Sequence, residues 1–361
     1  MPQLSLLGDF AIVIVAALVG GAVARWLRQP TVLGYLIAGI LIGPHTPGPV
    51  QDVAQVRVLA EFGVAFLLFG LGTQISVDQL RRVQGVALLG AVVQVALMAG
   101  AALLVAAVLE LPLVASALFA VFIAQSSTAV IVKVLSERGE LDSLHGRFAT
   151  GVSIGQDLLT IPVIVLLPSL GEAAERLATS VLLGVGKAVL LTLTFYLVGA
   201  RILPGVLERI ARLGRELFLL AAVSLALGTA LLMEAAGLSL ALGAFLAGLV
   251  IGESHLNRQV LAEVVPLRDI FAVFFFVSVG MLLDVRFVVE HVPAVLGVLA
   301  VILGGKFLVT SAIPLALRYP VRVAVLSGLA LAQIGEFAFL LAQLGLDQGL
   351  ISQDIYSLVL A

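Results

Sequence analysis

Long apolar runs, interrupted at short intervals by clusters of arginine, set the pattern of this chain. Runs able to cross about 30 Å of hydrocarbon fall near residues 8–27, 31–43, 56–73, 84–109, 113–136, 146–168, 177–203, 215–235, 237–252, 266–283, 292–317 and 321–344. That predicts twelve membrane-spanning helices, with a thirteenth beginning at Tyr356–Ala361, where the sequence stops. Nothing between the runs has the pattern of a soluble domain, a heptad coil or a low-complexity tract. The opening segment lacks a basic n-region followed by a small-residue cleavage site, so it reads as a retained helix rather than a signal peptide.

Charge placement orients these helices. Sorted by alternate connections, fourteen arginines, from Arg25 and Arg28 through Arg209, Arg212 and Arg215 to Arg318 and Arg322, fall on one side. Arg57, Arg176 and Arg286 fall on the other, and the three lysines lie within the runs. The bias places the arginine-rich side in the cytoplasm and the N-terminus outside. Trp26, between Arg25 and Arg28, fits an anchor at the cytoplasmic interface.

Composition agrees: 61% of residues are apolar and only 12% are charged, where a soluble domain would carry about 25% charged residues. There is no cysteine, which excludes disulfides, thiol catalysis and cysteine-ligated metals. His45, His145, His255 and His291 fall in predicted loops or at helix ends, with no HExxH spacing. Neither a nucleophile with its base nor a metal motif is visible, so the chain does not read as an enzyme.

Against that apolar background the buried polar residues stand out. Asp157 lies midway along 146–168, and Lys306 midway along 292–317. A carboxylate at bilayer depth costs roughly 2.5–3.5 kcal/mol on insertion scales and marks an ion or proton pathway by default. One buried acid and one buried amine on separate helices suggest a transporter site, with Lys306 as the charge partner of Asp157. Two further runs are interrupted at similar depth, by Gln125-Ser126-Ser127-Thr128 and by Gln333-Ile334-Gly335-Glu336. Paired interruptions in the two halves of a chain point to discontinuous helices and a midplane ion site. Half-helix ends meeting in the membrane expose partial charges of about half an electron, which Lys133 and Glu336 are placed to offset. Glycines such as Gly39 and Gly43 read as packing devices. Gly304-Gly305-Lys306 is no phosphate loop, because Ala300 stands where the motif needs its first glycine and the segment is buried.

Several segments in order, Val32-Leu33-Gly34-Tyr35-Leu36-Ile37-Ala38-Gly39 with Gly43-Pro44, Ala60-Glu61-Phe62-Gly63-Val64, Ser126-Ser127-Thr128-Ala129, Gln156-Asp157, Phe275-Phe276-Val277-Ser278-Val279-Gly280-Met281 and Gly335-Glu336-Phe337-Ala338-Phe339, resemble the second family of monovalent cation/proton antiporters, above all its Kef-type potassium/proton branch. The resemblance implies an all-α polytopic membrane protein of 13 helices, with five-helix inverted repeats and two discontinuous crossing helices. It implies a core subdomain over about 84–168 and 292–361 and a dimerisation subdomain over about 1–43 and 177–252, in a homodimer within the bacterial inner membrane. It also carries the ion-binding aspartate onto Asp157, its paired lysine onto Lys306 and its preceding acidic or amide position onto Gln156. The crossing helices fall on the interrupted spans containing Ser127-Thr128 and Gly335-Glu336. The stretch Asn257–Glu263 lacks the acidic loop pattern of glutathione-gated members. The nucleotide-binding regulatory domain that often follows is absent from these residues, and the stop inside the last expected helix reads as a truncation.

The expected activity is exchange of potassium, with sodium as the alternative, for protons by alternating access. Deprotonated Asp157 would hold the monovalent cation, with Gln156, Ser127 and Thr128 beside it, and protonated Asp157 would release it. No cofactor, nucleic acid or resident metal is implied; membrane lipid and a second copy are the expected partners. A cation channel is the distant alternative, and no TVGYG-like filter supports it.

Overall fold

A computed structural model describes residues 2–50, 53–74, 85–108, 110–171, 190, 194–195, 197–199, 201–236, 240–252, 254 and 256–361. The described residues are helical or connecting, with no strand among them. The chain forms two compact units, one of Met1–Arg81 with Ile164–Leu283 and one of Arg82–Val163 with Asp284–Ala361. Among the described residues, four helices are long and apolar enough to cross a membrane: Gly8–Trp26, Leu88–Val108, Arg215–Ala235 and Val292–Ala316. Most of the other expected spans are shorter apolar helices or halves of interrupted ones, and most of the expected span at 177–203 lies outside the described residues.

In the first unit, α1 (Pro2–Trp26), α2 (Thr31–Ile42) and α3 (Val53–Gln74) are joined by α8 (Arg215–Ala235), α9 (Leu240–Gly252) and α10 (Asn257–Met281). The pairs α3–α10, α3–α9, α1–α2, α8–α9 and α2–α10 pack against each other. Reciprocal glycines set three of these contacts. A Cβ on Gly20 would meet the Gly34 carbonyl and one on Gly34 the Gly20 carbonyl, and the same holds for Gly72 against Phe245 with Gly248 against Phe69, and for Gly39 against Val277 with Gly280 against Leu36. Lipid gives apolar helices no hydrophobic reason to associate, so close backbone approach through small residues does so instead. Residues 257–263, expected as a cytoplasmic connection, are instead the first turns of α10, which runs on through Pro266. Val260 and Val264 explain the difference, because both are buried beside Phe69 and Phe218, and Glu263 pairs with Arg215 at 2.7 Å.

The second unit holds α4 (Gly85–Val108), α5 (Leu113–Ala124), α6 (Thr128–Glu137) and α7 (Leu144–Gly171) as far as Val163. After them come α11 (Val285–Glu290), α12 (Val292–Ala300), a π turn over Val301–Gly305, α13 (Lys306–Ala316), α14 (Val321–Leu331), α15 (Glu336–Asp347) and α16 (Gln353–Leu360). Helix α4 packs on α5 and α13, α13 on α14, and α15 on α5. Ala91, Ile131, Leu135, Phe148, Val152, Ile313 and Leu331 close the core between them. Short α11, in a stretch expected as a connection, forms because Asp284 caps it, its carboxylate accepting from the Arg286 and Phe287 amides.

Among the described residues one turn recurs three times. Arg28, Glu110 and Arg318 each take a left-handed φ, two residues before Pro30, Pro112 and Pro320. The residue between donates its N–H back into the ending helix: Gln29 to Ala24, Leu111 to Ala106 and Tyr319 to Pro314, all at 2.8–2.9 Å. This satisfies otherwise orphaned helix-end carbonyls, and the proline, whose φ is fixed and which has no N–H, opens the next helix. Two of these turns lead into the interrupted helices, α4 into α5 and α13 into α14.

Candidate functional site

Helix α5 stops at Ala124 and α6 starts at Thr128. Helix α14 stops at Leu331 and α15 starts at Glu336. Each break strands carbonyls on one side and amides on the other, which in a membrane have no water to turn to. Their partners can be traced group by group.

The two breaks meet. The Gly335 amide donates to the Gln125 carbonyl at 3.3 Å. The Gln333 side chain lies along Ser127, accepting from its amide at 3.0 Å and donating to its carbonyl at 3.2 Å. Ser126 Oγ donates to the Leu331 carbonyl at 3.0 Å. A Cβ at residue 335 would fall 2.8 Å from the backbone of Ser126, so glycine is required there for the approach. Ser127 caps α6, its hydroxyl accepting from the Val130 amide at 3.2 Å.

Lys306 is fully buried. Its ammonium donates to the Gln125 carbonyl at 2.5 Å and to the Gln333 carbonyl at 2.6 Å. These are the carbonyl-bearing sides of both breaks, where the helix dipoles leave negative partial charge. The amine that the sequence reading pairs with Asp157 thus sits on the breaks themselves, a task that reading gives to Lys133. The side chains of Lys133 and Glu336 lie outside the described residues.

Asp157, 8% exposed, stands on α7 beside the first break. Thr128 Oγ1 donates to its Oδ2 at 2.7 Å and lies 2.7 Å from Ser153 Oγ. A hydroxyl has one proton to give. With that proton on Asp157, the Ser153 hydroxyl is the donor to Thr128, and the three form a short relay. Ser153 is four residues before Asp157, on the same face of α7, and no local pattern in the sequence marks it.

Gln156 is fully buried. Its Oε1 accepts from the Ser126 amide at 2.9 Å, and its Nε2 donates to Gln94 Oε1 at 2.8 Å. Gln94 in turn donates through Nε2 to the Ala124 carbonyl at 3.4 Å. The sequence held a signal for Gln94, the one polar side chain in α4. Asp157, Gln156, Ser127, Thr128 and Lys306 are therefore gathered within one unit, around two chain breaks. No cluster of three or more histidine and carboxylate side chains is present among the described residues.

Comparison with known proteins fits this architecture. The family model for the sodium/hydrogen exchanger, transmembrane, matches residues 13–361. The putative cation/proton antiporter YbaL of Escherichia coli (strain K12) is 40% identical over 357 residues, 96% of this chain and 64% of that protein. The K(+) efflux antiporter 5 of Arabidopsis thaliana is 36% identical, over 99% of this chain and 64% of that protein. The iron transporter MagA of Paramagnetospirillum magneticum is 37% identical, over 97% of this chain and 81% of that protein. The chain thus spans about 64% of the length of the first two. The solved structure of the sodium proton antiporter MjNhaP1 from Methanocaldococcus jannaschii at pH 8 shares the fold, with a TM-score of 0.69 at 17% identity over 99% of this chain and 93% of that one. The Kef-type resemblance read in the sequence holds, and the chain belongs to the transmembrane sodium/hydrogen exchanger family, a family of transporters.

Proposed function

We propose that this chain exchanges a monovalent cation, potassium first, for protons at Asp157. The observation that carries the proposal is a buried carboxylate taking a 2.7 Å hydrogen bond from Thr128 beside the meeting point of two helix breaks. A proton and a cation compete for that carboxylate, so the site holds one or the other. Thr128 and Ser153 supply neutral oxygens next to it, and Lys306 neutralises the carbonyl ends that would otherwise compete for the cation. Exchange then follows from exposing this one site alternately to the two sides, without an open pore.

The recurrent left-handed turn before α5 and before α14 supports two repeats, each a helix, a turn and an interrupted helix. On this reading the unit holding the breaks is the ion-carrying core of a thirteen-helix fold, and the first unit is the dimerisation part of a homodimer. Lys133 and Glu336 add to the compensation of the half-helix charges. The arginine-rich connections face the cytoplasm of a bacterial inner membrane. The length of the antiporter relatives beyond the matched region supports a regulatory domain as partner to this one.

The test is proton movement in proteoliposomes under an imposed cation gradient. The wild-type protein is expected to move protons with potassium or rubidium in preference to sodium, because the Gln156 carboxamide adds no second formal negative charge beside Asp157, and the weaker field suits the ion with the lower dehydration cost. Asp157→Asn keeps an acceptor for Thr128 and should fold normally, yet abolish exchange. Near wild-type exchange by that variant would remove Asp157 from the centre of the mechanism. Sodium is the second reading, favoured by the MjNhaP1 fold relative, and equal or better sodium exchange would establish it. Iron belongs in the same assay because of the relative named as an iron transporter.

A further inference from the structure

The contacts that bridge the first break form a closed path with a fixed direction. It begins at the Ala124 carbonyl, passes through Gln94 and Gln156, and ends at the Ser126 amide. Both ends are backbone groups, so neither can exchange donor for acceptor. Ala124 demands a donor, which turns Nε2 of Gln94 toward it and leaves Gln94 Oε1 facing residue 156. Ser126 demands an acceptor, which turns Oε1 of Gln156 toward it and leaves Nε2 facing Gln94. Only a side chain that accepts at one end and donates at the other completes the path at either position. A carboxamide does so with no net charge.

We infer that Gln94 is a positioning and specificity-determining residue of the exchange site, acting through Gln156: it admits a neutral amide at residue 156 and holds the first break at the spacing that Thr128 and Asp157 use. The inference rests on the exchange reading above. Gln94 touches no transported ion. Its influence runs through the Ser126 amide to Ser127 and Thr128, two residues further along the same break. A carboxylate at 156 would set an oxygen against Gln94 Oε1, now 2.8 Å from the amide nitrogen. Turning Gln94 over to meet it would set Gln94 Oε1 against the Ala124 carbonyl instead. One acceptor–acceptor clash remains whichever way Gln94 turns. An ammonium at position 94 removes it, since it donates to both neighbours.

The test compares wild type with Gln94→Met, Gln156→Glu, Gln94→Lys and the double variant Gln94→Lys/Gln156→Glu, in proteoliposomes at one fixed pH. Apparent KM and maximal rate are read for potassium and for sodium, with thermal unfolding in detergent as the check on folding. Gln94→Met is expected to change the potassium-to-sodium ratio of apparent KM on the order of tenfold, the worth of one to two neutral hydrogen bonds, with a smaller change in maximal rate. Gln156→Glu should lose exchange and unfold at lower temperature, and adding Gln94→Lys should recover at least half of both losses, although Gln94→Lys alone is worse than wild type. A Gln94→Met protein with wild-type KM values, or a double variant no better than Gln156→Glu, overturns the inference. Wild type that moves no protons with any cation overturns the exchange reading instead, and the unfolding temperatures of the single and double variants then still report whether residues 94 and 156 are coupled.

Discussion

At the residue scale, the buried amine has a task beyond pairing with the buried acid. Lys306 puts two hydrogen bonds of its ammonium on the Gln125 and Gln333 carbonyls, so its removal takes the donor from the Gln333 carbonyl and leaves the Gln125 carbonyl with the longer bond from the Gly335 amide. Lys306→Met is therefore expected to cost about 2 kcal/mol or more, since a buried carbonyl left without a donor costs about 1–3 kcal/mol. Thermal unfolding in detergent checks this, and an unchanged transition would mean that other donors satisfy both carbonyls. Asp157, Gln156, Thr128 and Lys306 were legible in the sequence because each is polar in a run that is otherwise aliphatic. What each touches was not, because a hydrogen-bond partner on another helix leaves no trace in local spacing. The pairing of Gln94 with Gln156, 62 residues further on, and the relay through Ser153 came only with the fold.

At the element scale, the helices within each unit are held to one another by different means. Reciprocal glycines join α1 to α2, α3 to α9 and α2 to α10 by close backbone approach. Around the breaks, side chains take over the role of absent backbone partners. Gln333 is the clearest case, because its carboxamide meets both the amide and the carbonyl of Ser127, as a neighbouring strand would. Gln333→Leu keeps the volume and loses both bonds, so a loss of about 2 kcal/mol is expected, with faster hydrogen exchange at the Ser127 and Thr128 amides. Unchanged exchange at those amides would show that the first break holds without the second. The interruptions themselves could be read from the sequence, because polar and glycine residues halt an apolar helix. The π turn over Val301–Gly305 could not, since its sequence is as apolar as its surroundings. A π turn adds a residue to the helical ladder and so shifts which face follows, leaving Leu303 and Leu308 exposed while Lys306 and Thr310 are buried. Asn257–Glu263 was misplaced for the opposite reason: polar residues on one face of an amphipathic turn look like a loop until Val260 and Val264 are seen in the core.

For the molecule as a whole, net charge decides little, since 20 basic and 22 acidic residues nearly cancel, whereas the placement of arginine carries the proposed orientation. The structure gives that rule particular markers. Arg138 follows the end of α6 and Arg322 stands at the start of α14, and both are exposed. If both lie in the cytoplasm, α5 and α6 run inward while α14 and α15 run outward, so the two interrupted helices cross the membrane in opposite senses, as inverted repeats require. The chain has no cysteine, so each introduced thiol is the only one in these residues and its labelling has no background. Arg138→Cys, Arg318→Cys and Arg322→Cys are expected to react with a membrane-impermeant maleimide only after cells are permeabilised. Arg286→Cys, exposed on α11, is expected to react in intact cells. Labelling of all four from one side would break the alternation of connections on which the orientation rests. Opposite labelling of Arg138→Cys and Arg322→Cys would make the interrupted helices parallel, and the antiparallel meeting of their half-helix ends, with Lys306 serving both, would have to be abandoned as the basis of the site.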